Sequence, residues 1–253
     1  MRVALGRELA SPVRWDVEDS TRSPSGELER IFFDTDDVHK WLHYLPVYER
    51  ALAGLRVKAG RFLEIGVWHG GSLAMWRRYF DPATLIVGID IDPTCRRFED
   101  RSKNVHVRIG SQDDVDFLRS VVSEFGPFDA ILDDGSHRSS HTVDTFKFLF
   151  TNGLADGGVY IVEDIHCDYW TSHRDSHMSF VEFTKWLIDS MHAHYHGLPA
   201  HGEGQFRIGY NDRRWSFDVP LATVLLEKIE INDSIVSIWR ANGRRTVPRT
   251  ACR

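Results

Sequence analysis

Cysteine is scarce in this 253-residue chain: Cys95, Cys167 and Cys252 are the only three, and no two form a Cys-x-x-Cys pair. An odd, unpaired set argues against a disulfide scaffold or a thiolate zinc site and suits a reducing compartment. Positive charge is also short. Against 37 Asp and Glu stand 31 Lys and Arg, a formal net charge of −6, whereas a nucleic-acid binder usually presents a basic face. No nucleic-acid partner is therefore expected. No stretch approaches the ~18 consecutive apolar residues of a membrane span, and Arg7 and Glu8 interrupt what a signal peptide would need as its apolar core. A soluble, cytoplasmic protein without membrane contact is the expectation. Internal repeats and low-complexity tracts are absent too.

What is present is an alternation of short apolar runs and helix-length segments. Arg61–Ile65, Leu85–Asp90, Val105–Ile109, Phe128–Asp133 and Val159–Val162 read as buried strands, most of them running into acidic residues. Between them the pattern predicts helices beginning near Leu73, over Asp113–Phe125 with a stop at Gly126-Pro127, and over Ser139–Leu154 closed by Gly157-Gly158. Strand–helix–strand crossovers make the strands parallel. Two later runs, Thr223–Ile231 and Ser234–Trp239, read as a hairpin through Asn232-Asp233. The expected fold is α/β: a Rossmann-like, doubly wound, mostly parallel sheet of seven strands with an antiparallel C-terminal strand. Its expected divisions are an N-terminal arm (1–35), the main domain (36–240) with a lid or substrate-recognition insertion (165–220), and a flexible basic tail (241–253). A helical pattern starts near Asp36, with Pro46 expected to kink or break it.

The chemistry gathers at strand ends. The first loop reads Glu64-x-Gly66-x-x-x-Gly70, with Trp68 and Ser72 in the same turn, and is not G-x-G-x-x-G. A carboxylate on the strand would repel a pyrophosphate, which weighs against NAD or FAD and suits a ligand bearing an ammonium or sulfonium. Asp90 stands where such folds place the acid for ribose hydroxyls, while Asp92, followed by Pro93, reads as a cap. Ser111 and Gln112 after the third strand suit an adenine edge. Asp134, Glu163 and Asp164 should meet at one sheet edge, with His137 nearby. Converging carboxylates repel, and a divalent cation is the simplest way to hold them together. In the insertion, His192-x-His194-x-His196 would share a face of a strand, but no fourth metal partner follows.

These motifs resemble class I S-adenosylmethionine-dependent methyltransferases. Asp133-Asp-Gly-Ser-His137, Glu163-Asp-Ile-His166 followed by Tyr169-Trp170, and Lys40-Trp-x-His-Tyr-x-Pro-x-Tyr-Glu49 look like the metal-dependent sugar O-methyltransferases, which act on macrolide deoxysugars and on mycobacterial mannosides and rhamnosides. The resemblance implies S-adenosylmethionine and Mg2+ (or another divalent cation) as cofactors, Asp134, Glu163 and Asp164 as metal ligands and His137 as the base. It carries over Ser111 and Gln112 as cofactor contacts, and Glu64, Gly66, Trp68, Gly70, Ser72, Asp90 and Asp133 are expected beside them on the cofactor side. His43, Tyr44, His166 and Trp170 are the expected substrate contacts. A mannoside precursor of methylmannose polysaccharide is the expected acceptor, with an antibiotic deoxysugar, a rhamnoside or a catechol-like molecule as the alternative, and a homodimer is the expected assembly.

Overall fold

The apolar runs pair into one seven-stranded sheet of order β3-β2-β1-β4-β5-β7-β6. In the computed structural model, which describes residues 11–14, 24–195 and 218–246, the strands are β1 Arg61–Ile65, β2 Leu85–Asp90, β3 Val105–Ile109, β4 Phe128–Asp133, β5 Leu154–Val162, β6 Leu226–Asn232 and β7 Ile235–Arg240. Strand β7 is antiparallel to both β5 and β6, and the other pairings are parallel. The expected arm apart from 11–14 and 24–35, residues 196–217 of the insertion with His196, His201 and Trp215, and the tail beyond Thr246 lie outside the described residues.

Period-two alternation builds three layers. Phe62, Leu132 and Ile161 face a core shared with α1 (Glu27–Phe33), α2 (Leu45–Val57) and α3 (Gly71–Tyr79). Their neighbours Leu63, Ile131 and Tyr160 face α4 (Val115–Phe125), α5 (Ser139–Asn152) and α6 (Phe180–Met191). Burying each such large apolar side chain contributes about 1.5–3 kcal/mol. Helix α4 starts where Asp114 accepts from the N–H groups of Asp116 and Phe117. Among the described residues no helix is long and apolar enough to cross a membrane.

Several expected boundaries move, each for a local reason. Pro46 begins a helix instead of breaking one: it sits in the first turn of α2, where its missing N–H leaves no bond unmade. Strand β5 starts at Leu154, before Gly157-Gly158, because Leu154 already pairs with Phe128. The expected strand from Thr223 is first the short helix α7 (Leu221–Leu225), and the hairpin turns at Asp233-Ser234, with Ser234 at φ 61°. Within the expected arm, α1 buries Leu28 completely. Within the insertion, α6 adds Phe180, Phe183 and Leu187 to the core, while Trp186 lies half-exposed on Phe183. His192 and His194 fall at the end of that helix, not on a strand.

Candidate active site

Chain progression through the sheet reverses between β1 and β4, and doubly wound sheets bind ligands beyond the carboxyl ends of their strands at such a point. A cleft of about 690 Å³ opens there, within the ~300–1,000 Å³ usual for small-molecule sites. Register sets what projects into it. Ile65 pairs with Asp133 and Asp133 with Val162, so Asp134 and Glu163 come directly after the last paired residues. Their N–H groups still donate to Ile65 O and Asp133 O, each at 3.0 Å.

Two glycines allow the backbone to close around this point. Gly66 has φ 94°, and a Cβ there would lie 2.1 Å from the carbonyl oxygen of Asp134, so only glycine lets the β1 loop touch the β4 loop. At Gly71 a Cβ would come within 2.3 Å of the Asp37 carbonyl. Its absence lets the segment around Val38 cross the start of α3 and carry His39, Lys40 and Trp41 to the cleft. Trp68, His137 and Asp164 all adopt the left-handed region, at φ 47°, 53° and 53°, a conformation that costs a bulky residue free energy and tends to gather at functional sites.

The acidic cluster is built around an ammonium. Lys40 Nζ lies 2.5 Å from Asp134 Oδ2, 2.9 Å from Glu163 Oε1 and 3.7 Å from Glu64 Oε1, with its side chain 1% exposed. Burial would lower its pKa, but the charges of Asp134, Glu163 and Glu64 outweigh that and raise it well above the ordinary lysine value. Asp134 divides its oxygens: Oδ2 takes the ammonium, while Oδ1 is 3.7 Å from His137 Nε2. Asp164 does likewise, Oδ1 accepting from Tyr44 OH at 2.8 Å and Oδ2 facing His137 Nε2 at 3.9 Å. One donor atom each from Asp134, His137 and Asp164 lies within 4.8 Å of the others. Hard carboxylate oxygens plus an imidazole, in side chains open to the cleft, suit a divalent cation. Glu163 faces Lys40 instead of completing that trio.

Of the residues expected on the cofactor side, Gly66, Trp68, Asp90, Ser111 and Gln112 line the cleft. Asp90 also orders the loop: Oδ2 accepts from the N–H groups of Val67 (2.8 Å) and Trp68 (3.0 Å), and Oδ1 from that of Asp92 (2.8 Å). Asp92 caps the next turn through Thr94 N–H, as its position before Pro93 suggested. Gln112 braces the far wall, accepting from Ser136 N–H at 2.7 Å and donating to Asp133 at 3.2 Å. Glu64, Gly70, Ser72 and Asp133 sit behind the cleft wall. The Glu64 carboxylate, buried and with its pKa raised by that burial, accepts from Ser72 Oγ (2.8 Å) and Trp76 Nε1 (3.1 Å). Burial pushes the Asp133 carboxyl up to about 7, against hydrogen bonds from Gly135 N–H, Tyr160 OH and Gln112.

An aromatic series starts at the cleft and continues beyond it, His166 and Trp170 not lining the cleft itself. Trp41 lines it, half-exposed, and meets the His166 ring edge-on at 6.1 Å, which meets Trp170 at 4.8 Å. His166 is tied to Ser234 Oγ. His43 and Tyr44 do not line the cleft. They pin the β6–β7 turn, His43 Nε2 to Asp233 O at 3.1 Å and Tyr44 OH to Ser234 O at 3.1 Å. Sequence reasoning did not single out Lys40, Trp41 or His141. His141 lines the cleft with Nδ1 3.0 Å from Ser136 Oγ and Nε2 3.4 Å from Asp113. The signal for Lys40 and Trp41 was in hand, since both open the Lys40-Trp-x-His-Tyr motif. For His141 there was none beyond its place in the first turn of α5.

Residues 63–165 match the family described as a methyltransferase domain. L-olivosyl-oleandolide 3-O-methyltransferase of Streptomyces antibioticus is 35% identical over 210 residues, covering 76% of this chain and 52% of that protein. The 8-demethyl-8-alpha-L-rhamnosyl tetracenomycin-C 2'-O-methyltransferase of Streptomyces olivaceus is 39% identical over 166 residues, 60% of this chain and 43% of that protein. Among solved structures, MycE methyltransferase from the mycinamycin biosynthetic pathway, in complex with Mg, SAH and mycinamycin VI, superposes with a TM-score of 0.67 at 27% identity. That match covers 86% of this chain and 53% of MycE. The chain thus spans about half the length of the relatives it matches.

Proposed function

Since this chain carries a class I methyltransferase domain, we propose that it transfers the methyl group of S-adenosylmethionine to a deoxysugar hydroxyl on an antibiotic glycoside, with a divalent cation of the Mg2+ kind in its acidic cluster. The observation that carries this reading is the convergence of Asp134, Asp164 and His137 at the switch-point end of the sheet, inside the cleft. The named relatives act on olivosyl and rhamnosyl groups of antibiotics, and MycE is described with Mg, SAH and a macrolide. The expected mannoside acceptor draws no support from them, so the antibiotic deoxysugar replaces it as the favoured reading.

Asp134 Oδ1 and Asp164 Oδ2 would hold the cation, with Glu163 beside them on Lys40. Bound there, it would acidify a neighbouring sugar hydroxyl, otherwise a poor nucleophile. His137 Nε2 accepts the proton of that hydroxyl. The oxygen takes the methyl from sulfur as the S–C bond breaks, leaving S-adenosylhomocysteine. The rigid loops around Gly66 and Gln112 fix the cofactor side, and orientation contributes much of the acceleration. Trp41 and Trp170 offer apolar faces on which a pyranose can lie, beside Asp164.

Labelled S-adenosylmethionine and a panel of olivosyl and rhamnosyl macrolides, mannosides and catechols test the acceptor. Transfer is expected to the deoxysugar glycosides, and transfer to mannosides or catechols alone would reject the reading. His137 also belongs to the metal-capable trio, which gives it a second possible role. For a base, His137→Gln lowers kcat by about 10²–10⁴-fold and leaves Mn2+ affinity within a factor of about three. A ligand role would instead show as a large loss of Mn2+ affinity in that variant.

A further inference from the structure

Among the described residues, Lys40 is the one cation in contact with three buried or half-buried acids that converge from three strand ends. Glu64 lies on β1, Asp134 follows β4 and Glu163 follows β5. Glu64 and Glu163 are 0% and 4% exposed, and apart from the ammonium Glu64 has, among the described residues, only the neutral donors Ser72 and Trp76. Buried carboxylates without a counter-charge are strongly destabilising. The fold therefore needs positive charge here whether or not a dication is bound. The ammonium supplies it on one side of Asp134 (Oδ2), while the other oxygen, Oδ1, is left to the trio with His137 and Asp164.

We propose that Lys40 is a built-in counter-ion that holds Glu64, Asp134 and Glu163 together in the metal-free protein and is antagonistic to the divalent cation sharing Asp134. This rests on the cation reading above and deepens it. Two positive charges on opposite oxygens of one carboxylate repel, so each weakens the other's binding. Reciprocity then fixes the sign: if Lys40 weakens the cation's hold, the cation must reduce the loss caused by removing Lys40. As a positioning residue, Lys40 lets the site form before the metal arrives and keeps the metal exchangeable.

The test is Lys40→Met, with Lys40→Gln as the variant that keeps a hydrogen-bond donor if the first does not fold. Melting temperature is measured in chelator and in saturating Mg2+, and Mn2+ affinity by titration. In chelator the wild type stays folded and the variant is expected to lose about 10 °C. Saturating Mg2+ should recover a large part of that loss, and Mn2+ should bind the variant about tenfold or more tighter than it binds the wild type. An equal loss with and without Mg2+, or unchanged or weaker Mn2+ affinity, makes Lys40 a purely structural lysine and overturns the proposal. Failure of the wild type to bind Mn2+ at all overturns the cation reading itself, a result distinguishable from the others.

Discussion

Replacing Asp134 by alanine is expected to lower methyl transfer at least ~10³-fold, because the carboxylate serves both the cation and the ammonium. Its Oδ1 belongs to the trio with His137 and Asp164, so removing it takes away one of two hard oxygen donors. Its Oδ2 faces Lys40, which keeps Glu163 at 2.9 Å and Glu64 at 3.7 Å in the variant. The ammonium therefore stays paired, and Asp134→Ala should fold, with an unchanged far-ultraviolet spectrum. Activity is read with labelled cofactor, in Mg2+ and in excess chelator. The wild type in chelator should fall to the level of the variant. Turnover that survives the chelator, or a variant retaining a tenth of its activity, would remove the cation from the mechanism.

Gly66→Ala should be among the most damaging single methyls at the described glycines. The new Cβ would stand 2.1 Å from Asp134 O, 2.9 Å from its carbonyl carbon and 3.3 Å from Gly135 Cα, all backbone atoms, at φ 94°. Neither side can turn away, so the β4 loop has to shift, moving Asp134 off the trio. A loss of about 3–5 kcal/mol is expected, on the order of 10 °C in melting temperature, together with loss of cofactor binding. Gly54→Ala is the control. Gly54 lies within α2 with nothing within 4 Å of its would-be Cβ, so the same change there should stabilise by about 0.5–1 kcal/mol. Calorimetry on the two variants should give opposite signs. Equal, small effects at both positions would mean that the β1–β4 approach is not tight.

Much of the site is local and was open to reading. Phe128–Asp133 and Val159–Val162 are apolar runs that lead into acids, Asp133-Asp134 and Glu163-Asp164, and a run of that kind in a crossover unit delivers its acids to one edge of a parallel sheet. Asp92 before Pro93 was legible as a cap for the same reason: the signal spans three residues. The misplacements are of another kind. Its place in a glycine turn points Glu64 toward the cofactor, but its carboxylate turns back into the wall, onto Ser72 and Trp76. The glycine pattern is the same in either case. His43 and Tyr44 sit next to Trp41 in sequence, yet only Trp41 lines the cleft, because the turn Leu42–Tyr44 carries the others toward the β6–β7 hairpin.

The sequence by itself determined which strands carry acids and that their crossovers make them parallel, because strand period and crossover handedness act over a few residues at a time. Only tertiary structure decided the charge balance at their tips. Lys40 is 94 residues from Asp134 and 123 from Glu163, and it reaches both because bare glycine backbone at Gly71 lets a distant segment lie against α3. An ion pair across such separations leaves no periodic trace in the chain: it exists only once the sheet has brought the carboxylates close enough to repel.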